Sequence, residues 1–143
     1  MITGIGTDIC DISRIFSTIE RFGDRFRKRI FTKIELETMH LKLALAPPDI
    51  RNLKEAAFLA KRFAAKEAVS KALGEGILFS SLKWTDIEIV NDLKGKPIVV
   101  LYGHALANLE RLIEESHSKA RIHISISDTK NIAQAMAVIE KIH

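Results

Sequence analysis

A chain of 143 residues with 47% hydrophobic content is long enough to bury one sizeable core, so a single domain spanning 1–143 is the expectation. It holds no run of about 18 uncharged apolar residues, and its start, MITGIGTDIC, lacks the basic region and long apolar stretch of a secretory signal, so a cytoplasmic protein with no membrane partner is expected. One cysteine, Cys10, excludes an internal disulfide and a cysteine metal cluster, and the formal charge of +4 is uneven: residues 14–33 carry +5 and the remainder −1.

The opening segment reads as a strand with Ile5 and Ile9 on one side and Ile2, Gly4, Gly6 and Asp8 on the other, so two glycines clear space beside Asp8. DISRIFSTIERFG then reads as a helix of two or three turns, with Asp11 or Ser13 as candidate cap and Gly23 as stop. The basic run, Arg14, Arg21, Arg25, Arg27, Lys28, Arg29 and Lys33, suits an acidic partner as well as it suits a solvated helix face. Phe16, Phe22, Phe26 and Phe31 recur near helical intervals and read as core, so no nucleic acid is expected. TKIELETMHLKL has Thr32 followed three residues later by Glu35, the capping-box spacing. ALAPPDIRN breaks regular structure at its prolines.

A long helix is expected from Leu53 to Leu73, closed by Gly74 with Gly76 just beyond. DIEIV and PIVVLY read as strands joined by NDLKGK. HALANLERLIEES reads as an amphipathic helix with Leu106, Leu109, Leu112 and Ile113 on its apolar stripe. In RIHISISD, Ile122, Ile124 and Ile126 alternate with His123, Ser125 and Ser127, and IAQAMAVIEKI reads as the closing strand. The sum is α+β, helices packed on one face of a mainly antiparallel sheet.

The long helix is the informative element. At about 100° per residue, Glu67 and Lys71 fall one turn apart on a side shared with Ala56, Ala60, Phe63 and Ala64, while Phe58, Ala65, Val69 and Ala72 make the opposite side apolar too. On a surface such a pair is an ordinary helix contact. Withdrawn from water, the two charges need further partners, and a metal ion with a phosphate would supply them. Asp8 offers an oxygen ligand of the kind hard Mg²⁺ takes, though a lone aspartate at a strand end also serves as a turn or cap.

GIGTDICDISRI together with RFAAKEAVSKALGEGI resembles the two signature motifs of the small bacterial holo-acyl-carrier-protein synthases, in the phosphopantetheinyl transferase superfamily. The likeness continues through FTKIEL, GKP at 95–97 and HISIS, and so covers nearly the whole chain. The resemblance implies transfer of the phosphopantetheine arm of coenzyme A to a serine of apo acyl carrier protein, releasing adenosine bisphosphate. By that likeness Asp8 and Glu67 match the Mg²⁺ ligands, Lys71 the lysine facing the diphosphate, and Lys66 a phosphate-binding or structural lysine. Gly74 and Gly76 resemble the turn along which the nucleotide lies. Arg14, Arg21, Arg25 and Arg29 fall where the first helix of the family grips its acidic carrier. A homotrimer with sites at subunit interfaces is implied as well. A carboxylate already engaged by metal is a poor base, so the serine proton is expected to pass to a water rather than to Glu67.

Three departures from the family pattern stand out: Phe63 in place of a common tryptophan, a longer connector at ALAPPDIRN, and Asp128 where the strand motif ordinarily has its second histidine. His123, on the polar side of an alternating strand, reads as structural. A noncatalytic basic module binding an acidic protein or a nucleic acid is the competing class, but it has no use for Asp8, Glu67 and Lys71.

Overall fold

The structure, a computed structural model, describes residues 1–77, 80–113 and 118–142. Among them, strand β1 (Ile2–Asp11) leads into helices α1 (Ile12–Phe22), α2 (Asp24–Ile30), α3 (Lys33–Leu43) and α4 (Pro48–Ala72). A short 3₁₀ turn at Trp84–Asp86 precedes the hairpin β2 (Ile87–Asn91) and β3 (Pro97–Leu101), and helix α5 (Gly103–Leu112) precedes the hairpin β4 (Lys119–Asp128) and β5 (Ile132–Ile142).

The α+β expectation holds, with one correction: the strands form two antiparallel sheets rather than one, β1-β5-β4 and β2-β3. β1 pairs with β5 so that Gly6 faces Ala137 and Asp8 faces Ala135, and β4 continues the sheet with Ile124 opposite Ala137. The inner face is therefore built from the smallest residues available. Ala133, Ala135 and Ala137 are all within 1% of full burial, and α4 lies against them. The second sheet packs on the far side of α4, where Ile87 and Ile89 are buried, so this helix is enclosed from two directions as its doubly apolar pattern predicts.

Local chemistry explains the boundaries. Thr32 accepts from the Glu35 amide while the Glu35 carboxylate accepts from the Thr32 amide, the complete capping box the sequence signals. Asp11 occupies the N-cap of α1 but makes no side-chain cap bond. α4 begins five residues earlier than expected, because Pro48 in the first turn needs no amide partner and its ring presets the helical φ. Gly74, at φ 84°, ends the helix in the left-handed region. Gly23, at φ 55°, ends α1 and lets the chain restart at once as α2, a helix the periodicity does not separate.

Two core assignments change. Phe31 is buried, but Phe22 is 47% exposed. In α5, Ala105 and Asn108 face inward and Leu106 is exposed, so the packed stripe is rotated by about one residue from the expected one. The predicted helix continues over 114–116, which lie outside the described residues. Cys10 is buried on β1, and burial followed by the neighbouring Asp8 charge pushes its thiol up to about 11.

Among the described residues no element covers the outer face of the three-stranded sheet. Ile5, Ile9, Ile132 and Met136 are exposed there, Ile9 by 64% and Ile5 by 61%, and His123 contacts Glu140 at 2.8 Å on the same side.

Candidate active site

β1 and α4 meet with almost no side chains between them. A Cβ added at Gly4 would lie 2.0 Å from the Ala72 carbonyl oxygen, and one at Gly6 2.0 Å from that of Ala68. Both obstacles are backbone, which cannot swing aside. The glycines therefore let strand and helix approach at main-chain distance, and Asp8, two residues beyond Gly6 on the same strand face, arrives beside Lys71.

Lys71 Nζ donates to Asp8 Oδ1 at 3.0 Å and to the Thr7 carbonyl oxygen at 2.8 Å. Asp8 is largely covered, with a side chain 17% exposed, whereas Lys71 remains 47% exposed and open to a ligand. Glu67, one turn before Lys71, is half-buried. Its pKa is raised, first by burial and then by the Asp8 charge, with Lys71 pulling the other way. Two carboxylates thus share a half-buried seam with one ammonium, and the site is short of positive charge. A cation or a proton satisfies it. Among the described residues no three His, Cys, Asp or Glu side chains converge, so the protein alone does not build a full metal cage.

Of the two roles expected for Lys66, its position suits the structural one and not phosphate binding. The motif groups it with the nucleotide-facing residues, but one position along a helix is a turn of about 100°, and Lys66 points into the interior with no exposed surface. Its ammonium pairs with Glu35 Oε1 at 2.7 Å and donates to the carbonyl oxygens of Ile87 and Trp84. Three oxygens account for its three protons, and none is left for a phosphate.

The remaining expected residues make no hydrogen bond or ion pair with Asp8, Glu67 or the Lys71 ammonium. Gly74 donates to the Lys71 carbonyl oxygen, and Gly76 follows it in the loop. Arg14, Arg21, Arg25 and Arg29 are exposed on α1 and α2. Arg25 and Arg29 line a groove of about 310 Å³ with Phe22, Phe26 and Trp84. Arg27 is different: it donates to Glu55 and Asp24 and is committed within the chain. Asp128 is exposed at the end of β4, opposite Ala133.

The sequence reading missed a buried polar cluster beside Lys66. Glu35 is 1% exposed, Glu88 4% and Arg62 5%. Thr32 Oγ1 and Tyr102 OH both donate to Glu88, and Arg62 donates to Asn91 while its guanidinium lies 3.9 Å over the Phe58 ring. Trp84 stacks on Phe63 at 4.6 Å. The signal was available: Arg62 and Lys66 are two cations one turn apart among alanines, a spacing that calls for buried counter-charges.

The profile of the 4'-phosphopantetheinyl transferase superfamily matches residues 4–130, and the chain belongs to that superfamily. Several relatives of matching length are named holo-[acyl-carrier-protein] synthases. The holo-[acyl-carrier-protein] synthase of Rhizobium leguminosarum bv. trifolii is 47% identical, over 98% of this chain and 96% of its own. Among solved structures, the holo-[acyl-carrier-protein] synthase of Neisseria meningitidis superposes with a TM-score of 0.73 at 38% identity, covering 98% of this chain and 99% of that one. That of Bacillus anthracis, in complex with CoA (3',5'-ADP), gives 0.69 at 35% identity, covering 97% and 96%.

Proposed function

We propose that the protein transfers the 4'-phosphopantetheine moiety of coenzyme A to a serine of apo acyl carrier protein, yielding holo acyl carrier protein and adenosine 3',5'-bisphosphate, with Mg²⁺ as cofactor. One observation carries the reading: Asp8, Glu67 and Lys71 converge on a seam that glycines hold at backbone contact, and the seam carries one more carboxylate than it has ammonium groups.

The donor set suits Mg²⁺. Two carboxylates without a third protein ligand fit an ion that keeps waters and takes phosphate oxygens, rather than a closed Zn²⁺ cage. Asp8 and Glu67 would hold it, and bound there it would offset negative charge developing on the diphosphate. Lys71, half-exposed at the rim, is placed to exchange Asp8 for a phosphate oxygen and to donate to the leaving adenosine bisphosphate. Gly74 and Gly76 carry no side chains at two positions of the loop beyond the helix, where the nucleotide would lie. The serine oxygen bonds to the phosphorus bearing the pantetheine arm, the bond from that phosphorus to the adenosine bisphosphate breaks, and the serine proton leaves to solvent.

The exposed arginines suit the acidic carrier. Arg14, Arg21, Arg25 and Arg29 have no ion-pair partner among the described residues that would compete for it. The uncovered isoleucine face of the three-stranded sheet supports self-association into a homotrimer, because an apolar sheet face of this kind ordinarily marks an interface. A noncatalytic basic module would use the arginines and leave the carboxylate seam without a purpose.

The deciding experiment is intact-mass measurement of apo acyl carrier protein after incubation with this protein and coenzyme A, with and without Mg²⁺. A gain of one phosphopantetheine per carrier, only with metal, is the expected result. No gain on a carrier that another transferase can load would overturn the reading.

A further inference from the structure

The seam between β1 and α4 is smooth. Glycines on the strand and alanines on the helix allow close approach, yet they give the helix no knob that would stop it from sliding or rotating. Lys71 nevertheless has to meet Asp8 within hydrogen-bonding tolerance, with Glu67 near enough to feel the Asp8 charge. Something else sets the height and phase of α4.

The neighbouring face of the same helix supplies it. Lys66 is tied at once to Glu35 of α3, to the Trp84 carbonyl and to the Ile87 carbonyl. Glu35 is itself fixed, accepting from the amides of Thr32 and Ile89. The anchor therefore spans α3, the 3₁₀ turn and β2, and each bond is directional. A slide of α4 by a fraction of its rise per residue, about 1.5 Å, would strain all three ties. Counter-charge is balanced locally, with Lys66 and Arg62 against Glu35 and Glu88 in one buried cluster.

Buried ion pairs contribute little to stability compared with apolar replacements, because desolvation consumes most of the Coulombic gain. Their directional bonds can still select one arrangement over its near neighbours. We propose that the Lys66–Glu35 pair is a positioning pair that sets the height and rotation of α4 so that Glu67 and Lys71 meet Asp8. The proposal rests on the transferase reading for its functional meaning. Neither Lys66 nor Glu35 touches substrate.

The test is the double variant Lys66→Met/Glu35→Gln, which removes the ion pair as a unit while glutamine can retain the capping box; Arg62 keeps its bond to Asn91 but loses Glu35 as a neighbouring charge. Thermal denaturation, Mg²⁺ titration by calorimetry without turnover, and steady-state kinetics are measured together. The expected result is a cooperatively folded protein with a lowered melting temperature, since the Ile89 amide and the Ile87 and Trp84 carbonyls lose partners, an Mg²⁺ affinity lowered about tenfold to a hundredfold, as for other residues that orient metal ligands, and a lowered kcat with little change in KM for coenzyme A at saturating metal. A parental Mg²⁺ response in the folded double variant would overturn the proposal and leave the pair a purely structural contact.

Should the double variant not fold, Glu35→Asp keeps both charges and shortens the tie by one methylene. It is expected to shift the Mg²⁺ response in the same direction, and an unchanged response would overturn the proposal. Failure of the parent protein to load a competent carrier would instead sink the transferase reading. Positioning is then decided by a crystal structure of the folded variant: loss of the Lys71–Asp8 contact supports it, and retention refutes it.

Discussion

Lys71 and Asp8 close an ion pair at 3.0 Å across the seam, and the same ammonium reaches the Thr7 carbonyl oxygen 2.8 Å away. In the free protein the lysine therefore neutralises a carboxylate that the proposed metal needs. Lys71→Met should have opposite effects on the two partners. Mg²⁺ binding to the free protein should tighten by roughly threefold to tenfold, since one nearby positive charge is gone from a partly exposed site. Turnover should fall by about 10²–10³, the usual cost of removing a stabiliser of transition-state charge. Calorimetry and single-turnover mass spectrometry read the two effects separately.

The Glu67 pKa is raised above the ordinary 4.5, first by burial. Metal binding requires the ionised carboxylate, so Mg²⁺ affinity should weaken as pH falls through this raised pKa, earlier than for an exposed glutamate. The sign for stability is the reverse. Without metal the fold favours the protonated form, so this group's contribution is fully present below pH 4.5 and is lost as pH rises through the raised value. Glu67→Gln should make the metal-free protein more stable than the parent at neutral pH, with the difference vanishing in acid. Melting curves from pH 4 to 8 measure it.

Gly6→Ala should be severe. The added Cβ would sit 2.0 Å from the Ala68 carbonyl oxygen, so strand or helix must move, at a cost of about 3 kcal/mol or more. Gly95→Ala makes a useful contrast: at φ 83° with open space around it, it pays only the left-handed penalty of about 1–2 kcal/mol. Chemical denaturation ranks the two.

Arg14→Glu with Arg21→Glu should raise KM for the carrier by about tenfold while moving KM for coenzyme A little, because both side chains are exposed on α1 and neither pairs with Asp8, Glu67 or Lys71. An equal effect on both substrates would refute carrier docking at α1. Increasing salt should erode the parent's advantage over the variant.

The outer sheet face gives a test of assembly. Ile5→Arg with Met136→Arg places charge among residues already 61% and 45% exposed, so the isolated fold should tolerate it. Light scattering should show three chains for the parent and a smaller species for the variant. A monomeric parent would refute the trimer.

Much of this architecture was legible because local chemistry and fold agree. Thr32 and Glu35 signal a cap and form one, and the two glycines before Asp8 signal close approach and provide it. Glu67 and Lys71 share a helix side in the sequence and lie on the same seam in the fold. Lys66 was harder, since a motif written along the sequence does not show that neighbouring letters point about 100° apart. Glu35 was read only as a capping residue, yet its second task, holding Lys66, joins positions 31 residues apart and leaves no local mark. The division into two sheets likewise depends on which strand edges bond to one another, which no strand pattern encodes.

Cys10 has a practical consequence. Its thiol is buried and held near 11, so at neutral pH it is protonated and shielded from reagents. To a maleimide or a spin label the folded chain presents no native thiol. A single cysteine engineered on the arginine face of α1 would then be the one position to take a probe, and the arrival of a carrier could be followed by fluorescence without first removing the native residue.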